Sequence, residues 1–206
     1  MTDAIWPRIL LHIPLERTLD TTTFYHFWQI AARGWPLIKM PPGRLDVQRN
    51  QAFATLQQSD ATHLAMLDSD MMHAADTIDR LAQHVIDDPT RHVVGGLYFN
   101  RHRDGMAANA SHMVDGEIVP LTEWDQGLME VTSLAGGCLL IAREVVDHVP
   151  PPWYAYTYPI TDDGRVGMPG TDVQFSALMR KHGVKMWLDT TLTSRHLLTG
   201  VTIPTG

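Results

Sequence analysis

Apolar and polar positions fall in blocks along this chain, and the length and period of each block predict one element. Arg8 to Ile13 is a short apolar run of the size of a buried strand. The hydroxyls of Thr21-Thr22-Thr23 then precede a segment in which Phe24, Phe27, Trp28 and Ala31 share one helical face, closed by Gly34. Pro36 to Met40 predicts a second strand, ended by Pro41-Pro42-Gly43, and Asp46 stands where it would cap a helix running to about Ser59. His63 to Leu67 is a third strand, with Asp68-Ser69-Asp70 at its carboxyl end. Asp76 would cap a helix whose Ile78, Leu81, Ala82 and Val85 follow the i, i+3, i+4, i+7 stripe up to Pro89. His92 to Leu97 is a fourth strand. Alternation of this kind predicts a parallel sheet covered by helices on both faces.

The second half changes character. Residues 104–127 are polar and glycine-studded, which suits a hairpin or excursion better than a crossover helix. Leu128 to Ser133 and Gly137 to Ala142 predict strands, and Arg143 to His148 a short helix stopped by Pro150-Pro151-Pro152. The segment 153–170 is too long for a simple connector and has the composition of a lid or binding loop. Its Trp153, Tyr154, Tyr156 and Tyr158 offer faces that stack on sugar C–H groups, or apolar anchors for the lid itself. Asp162 and Asp163 beside Gly164 are turn formers. Asp172 opens a last helix with Phe175, Leu178 and Met179 inward, and Val184 to Leu188 is a final strand. No repeat or Gly/Ser linker divides the chain, which predicts one domain over residues 1–206.

Composition narrows the class. With 44% hydrophobic and 19% charged residues the chain can bury a real core. A net charge of -7 argues against coating nucleic acid or an anionic membrane. The lone Cys138 excludes an intrachain disulfide and fits a reducing compartment. No apolar run approaches the roughly 18 residues of a membrane span, and Pro14 and Glu16 interrupt the N-terminal one, so it is not a signal peptide. A soluble, cytoplasmic protein is expected.

Chemistry concentrates where open parallel sheets collect ligands, at the carboxyl ends of the strands. Asp68 and Asp70 leave an extended segment on the same side, and two such carboxylates repel unless a cation sits with them. A hard divalent ion, Mg²⁺ or Mn²⁺, satisfies the pair and binds diphosphate oxygens as well. The same triplet is also a common turn former. Arg49 is either a first-turn surface charge or a group that contacts a phosphate or holds an Asp of the site. Gly95, Gly96, Gly136 and Gly137 either let a ligand approach the backbone or mark bulges. Of the 11 histidines, His63, His92 and His112 lie in strand-like runs and read as packed or surface residues. His73, three positions past Asp70, is near enough in sequence to approach a metal.

Arg49-Asn50-Gln51-Ala52 followed by Ala61-Thr62-His63-Leu64-Ala65-Met66-Leu67-Asp68-Ser69-Asp70-Met71 resembles the nucleotide-binding half of GT-A-fold glycosyltransferases, especially the family 2-like ones of small bacterial or phage type. The likeness continues in Val94-Gly95-Gly96-Leu97-Tyr98, Leu134-Ala135-Gly136-Gly137-Cys138, Gly170-Thr171-Asp172-Val173-Gln174-Phe175 and Ser194-Arg195-His196. It implies an α/β three-layer sandwich with a mostly parallel central sheet, residues 1–100 binding the nucleotide-sugar and 101–206 the acceptor. It further implies a metal-dependent inverting transfer from a nucleoside-diphosphate sugar, UDP-linked, to a hydroxyl. By position, Pro14, Glu16 and Arg17 would touch the base. Asp68 and Ser69 would lie at the ribose and metal, Asp70 and His196 would hold the metal, and Asp172 would deprotonate the acceptor. Thr171 stands where the family has an acidic residue.

Other classes remain open on the residues. A nucleotidyltransferase shares the sheet but has a Gly-rich basic loop where Pro14-Leu15-Glu16-Arg17 stands here. A binding module that keeps the fold without catalysis is another reading. Phage enzymes of similar size glycosylate DNA bases, and Asn100-Arg101-His102-Arg103 would give such an acceptor a local basic contact.

Overall fold

The computed structural model describes residues 6–14, 19–102, 105–157, 170–198 and 201–202. In the first half the elements are β1 (Ile9–His12), α1 (Thr21–Ala31), α2 (Leu45–Gln58), β2 (His63–Leu67), β3 (Met71–Met72), α3 (Thr77–Asp87) and β4 (Val93–Leu97). A hairpin of β5 (Phe99–His102) and β6 (Gly105–Ala108) follows, then a second of β7 (Ala110–Val114) and β8 (Glu117–Pro120). The chain returns through β9 (Leu128–Val131), β10 (Ser133–Leu134), β11 (Cys138–Ala142), α4 (Arg143–His148), α5 (Thr171–Lys181), β12 (Met186–Thr193) and β13 (Arg195–Leu198).

Six strands form the central sheet in the order β1-β2-β11-β4-β12-β9. β1, β2, β4 and β12 point the same way, while β11 lies antiparallel between β2 and β4, and β9 runs antiparallel at the edge. β11 takes the centre because all five of its residues are buried, which suits a strand covered on both faces. Its neighbour β4 carries Gly95, where a Cβ would stand 2.8 Å from Leu134 and Leu139 side-chain carbons, so the glycine admits close packing. One face is covered by Ala52, Phe53 and Leu56 of α2, Val145 and Val146 of α4, and Phe175 and Met179 of α5. The other is covered by Phe27 and Ile30 of α1 and by Ile78, Leu81, Ala82 and Val85 of α3. The result is the expected three-layer sandwich, and the hairpins occupy the polar stretch expected to leave the sheet.

Several local expectations are corrected. α1 is capped by Asp20, whose carboxylate accepts from Thr22 N at 2.7 Å, not by a threonine hydroxyl. It buries Thr23, Phe27 and Ile30, leaving Phe24 and Trp28 about half or more exposed, their rings in tilted contact outside. Phe27 directed inward brings its i−4 and i+3 neighbours with it, and those are Thr23 and Ile30. α2 starts one residue before Asp46, which instead receives the side chain of Arg44. Pro36 to Met40 makes only an isolated bridge from Leu37 to Leu11, since Pro36 lacks an N–H and Pro41-Pro42 stop any ladder. Trp153 and Tyr154 are core residues, 4% and 1% exposed, packed on Phe53 and, for Tyr154, on Phe175. Tyr158 and the Asp162-Asp163-Gly164 turn lie outside the described residues, as do the side chains of the 100–103 basic cluster.

Candidate functional site

At the carboxyl ends of β1 and β2 an open cleft of about 160 Å³ is lined by Pro14, Gly43, Leu45, Gln48, Asp68, Ser69 and Asp70. The chain leaves β2 through a turn in which Asp68 N donates to Gly137 O at 2.9 Å and Met71 N to Asp68 O at 3.3 Å. That turn presents Asp68 and Asp70 to the cleft. Glu16 and Arg17, expected to touch the base, lie outside the described residues.

The organising group is Arg49, 1% exposed, projecting from the first half of α2. Its Nη2 donates to both oxygens of Asp68 at 2.9 and 3.2 Å, and its Nη1 donates to Asp172 in a tight ion pair. The Tyr154 ring lies under the guanidinium, 5.0 Å from its centre, and stacks in turn on Phe175. Asn50, next along the helix, pins this arrangement: its Oδ1 accepts from Trp153 N and Tyr154 N, and its Nδ2 donates to Tyr154 O at 2.6 Å. The Arg-Asn pair thus holds two things at once, the carboxylates and the aromatic floor beneath them. Burial works against the Arg49 charge, but Asp172 and Asp68 outweigh it, so the guanidinium stays charged with a pKa well above its ordinary value.

Asp172 occupies the first turn of α5, whose N-cap is Gly170, so its carboxylate is directed at Arg49 and does not cap its own helix. Asp68 and Asp172 retain 23% and 31% side-chain exposure, enough for each to meet a ligand beside the buried cation. Removal from water pushes the Asp172 carboxyl above the ordinary carboxylate range; Arg49 opposes the rise and the charge of Asp68 adds to it. Such a group accepts a proton more readily than a solvated aspartate.

Gly136 and Gly137 are each packed closely against protein side chains. A Cβ on Gly136 would stand 2.7 Å from the Arg49 guanidinium, and one on Gly137 would stand 2.8 Å from Met71 sulfur and the Tyr98 hydroxyl. The missing side chains make room for protein groups. Gly136→Ala is therefore expected to displace Arg49 and lower stability by roughly 1–3 kcal/mol, the usual range for overpacking. A thermal-unfolding comparison with Gly43→Ala, whose Cβ would meet only Pro41 O at 4.0 Å, reads the specific part.

His196 lies on β13, which pairs antiparallel with β3 so that His196 stands opposite Met71, and Leu197 N donates to Asp70 O at 2.8 Å. Its Nδ1 is 2.7 Å from Phe99 O. A carbonyl only accepts, so Nδ1 carries the proton and Nε2 keeps its lone pair, the tautomer a metal ligand needs. Among the described residues no three His, Cys, Asp or Glu side chains converge on one point. Asp70, lining the cleft, and His196, on the strand beside its turn, form a pair of donor types that suit a divalent ion. His73 is not part of it: buried at 1% exposure, its Nδ1 bonded to Ser194 Oγ at 2.9 Å, it is driven neutral by burial, to a pKa of about 4. His12, at the end of β1, is likewise buried with both ring nitrogens unpartnered, and burial with Arg49 lowers it to about 4. Its place behind Arg49 and the role of Tyr154 had no sequence signal beyond their residue types.

No protein-family model matches the chain, and no curated protein matches it in sequence. Solved structures do. A197 from STIV is similar over 94% of this chain and 87% of its own, with a TM-score of 0.66 and 19% identity. GalNAc-T7, solved with UDP, GalNAc and Mn²⁺, is similar over 96% of this chain, with a TM-score of 0.56 and 15% identity; the match spans 45% of that protein. The fold is of the GT-A type. A third similar structure, CMP:2-keto-3-deoxy-manno-octonic acid synthetase complexed with CTP, gives a TM-score of 0.50 at 10% identity, over 96% of this chain and 91% of that one. At these identities the likeness establishes the sandwich and leaves the chemistry to the residues.

Proposed function

We propose that this GT-A protein is a glycosyltransferase that moves a sugar from a nucleoside-diphosphate donor, UDP-linked, to a hydroxyl acceptor with inversion. The observation that carries the reading is the fork of Arg49, which ties the strand-end carboxylate Asp68 to the helix carboxylate Asp172 beside the cleft. The two groups come from the donor-binding and acceptor-binding halves, residues 1–100 and 101–206, and share one buried cation.

In this reading Pro14, Glu16 and Arg17 surround the base, and Asp68 with Ser69 faces the ribose. Asp70 and His196, with Asp68 beside them, hold Mn²⁺ or Mg²⁺. When bound, that ion neutralises the charge developing on the leaving diphosphate. Asp172 takes the proton of the acceptor hydroxyl as it attacks the anomeric carbon from the face opposite the leaving group, and Arg49 keeps its carboxylate in place. The buried, lone Cys138 accords with a reducing cytoplasm, and among the described residues no helix is long and apolar enough to cross a membrane.

A thermal-shift panel of nucleoside diphosphates and their sugars, with and without Mn²⁺, tests the reading. The wild type is expected to gain stability from one nucleotide class only when the ion is present, and to lose the gain on chelation. In Asp70→Ala the unliganded melting temperature should stay close to wild type while the metal-dependent gain disappears; an equal gain in both proteins would remove Asp70 from the site. The synthetase among the similar structures favours one second reading, a nucleotidyltransferase. Pyrophosphate release from a nucleoside triphosphate and a sugar acid would select it.

A further inference from the structure

A second cleft, of about 370 Å³, opens where β4 gives way to the hairpin and β12 bends. It shares no lining residue with the first. It is lined by Leu97, by Phe99 and Trp124, whose ring centres are 6.0 Å apart, and by Gln126, Thr190, Thr191 and Thr193. The frame is built by a bulge in β12 between Asp189 and Thr193. Asp189, 5% exposed at its side chain, accepts from Thr191 N at 2.8 Å, from Thr191 Oγ1 at 2.6 Å and from Leu192 N at 3.2 Å, and is bonded to His84 Nε2 at 2.9 Å. Thr190 Oγ1 accepts from Gly127 N at 2.9 Å and donates to Asp125 O at 2.8 Å, which ties the loop bearing Gln126 to the bulge. Bulges that re-aim side chains in this way are common beside binding sites.

We propose that this cleft binds a neutral saccharide. Among the described residues its lining carries no charged side chain, and the two charged groups bonded to the Thr191 hydroxyl, Arg80 and Asp189, pair with each other, which disfavours a phosphate or carboxylate ligand; the hydroxyl and amide groups of the lining disfavour an acyl chain. Two aromatic side chains together with neutral hydrogen-bonding groups match a sugar ring, apolar on its C–H face and hydroxylated at its rim. Gln126 and Thr193 are exposed and have no hydrogen-bond partner among the described residues, so both are available to a ligand. Phe99, which lines the cleft, also accepts through its carbonyl from His196 on β13. That the bound sugar is part of the acceptor, making the acceptor a glycan, rests on the transferase reading; the saccharide site itself does not.

Saturation-transfer NMR on the whole chain, without nucleotide or metal, tests the site with cellobiose, maltose, lactose and chitobiose as probes. At least one disaccharide is expected to receive saturation, and to lose it in Trp124→Leu. Because Trp124 also packs on the core, Gln126→Ala and Thr193→Val supply the independent check, each weakening binding about fivefold, the effect of one neutral hydrogen bond. Absence of transfer to all four sugars, or transfer unchanged in the folded variants, overturns the proposal. Saccharide binding by a chain that binds no nucleotide-sugar leaves this cleft standing and removes the transferase; nucleotide-sugar binding without saccharide binding does the reverse.

Discussion

Arg49→Met is expected to unfold at a much lower urea concentration than the wild type, with a loss of stability of roughly 3–5 kcal/mol, the range for removing one partner of a buried ion pair. Against a typical total of about 5–15 kcal/mol this is a large fraction. Methionine fills much of the space, so the loss is electrostatic: Asp68 and Asp172 are left facing each other with no cation between them. Two further measurements separate this from a packing defect. Asp68→Asn and Asp172→Asn introduced into Arg49→Met should recover most of the loss, because neutral amides neither repel nor need the guanidinium. Acidification should narrow the gap to wild type. Burial already holds the Asp172 carboxyl above its ordinary range while Arg49 pulls it back. Without Arg49 its folded pKa rises further above the unfolded value. A group raised in this way adds stability below the unfolded pKa and loses it as pH climbs through the folded one. The variant should therefore approach wild type as pH falls from neutral towards about 4. Equal urea midpoints for Arg49→Met and wild type at neutral pH would show that the fork contributes nothing to the fold.

Asp172→Asn is expected to lower turnover by roughly 10²- to 10⁴-fold, the range for a lost general base, with donor affinity nearly unchanged. The amide keeps the size of the carboxylate but takes no proton. Arg49 still has Asp68, so the donor side of the site stays assembled. In the wild type, activity should rise with pH through a value above that of an ordinary aspartate, about 3.9, since Asp172, as the proposed base, would have to be ionised and its pKa is raised. That acidic limb should vanish in the variant. NMR of the product should report an inverted anomeric configuration. Retention, or full turnover by Asp172→Asn, removes Asp172 as the base.

Much of the fold could be read from local pattern. The stripe of Ile78, Leu81, Ala82 and Val85 is the buried face of α3, and the apolar run His63 to Leu67 is a strand that delivers Asp68 and Asp70 to a cleft at its carboxyl end. Both depend on neighbours within a few residues, where period and strand length suffice. On α1 the same reasoning chose the wrong stripe, because Phe24, Phe27 and Trp28 are all aromatic and only packing against the sheet decides which of them turns inward. Trp153 and Tyr154 were equally open between a sugar wall and core, and Asn50, holding their backbone from 103 and 104 residues away, settled them as core.

By itself the sequence determined which residue types stand at strand ends and helix starts: Asp68 and Asp70 after an apolar run, Arg49 in the first half of α2, Asp172 after Gly170 and His196 near the end of the chain. Only the tertiary structure decided how they combine. Arg49 meets Asp68 across 19 residues and Asp172 across 123, a junction made when β11 inserts between β2 and β4 and carries Gly136 against the guanidinium. Periodicity has no access to such distances. The physical reason is that an ion pair of this kind is specified by what surrounds it: the buried cation requires two carboxylates, an aromatic floor and a glycine with no Cβ, all supplied by separate elements once the core closes.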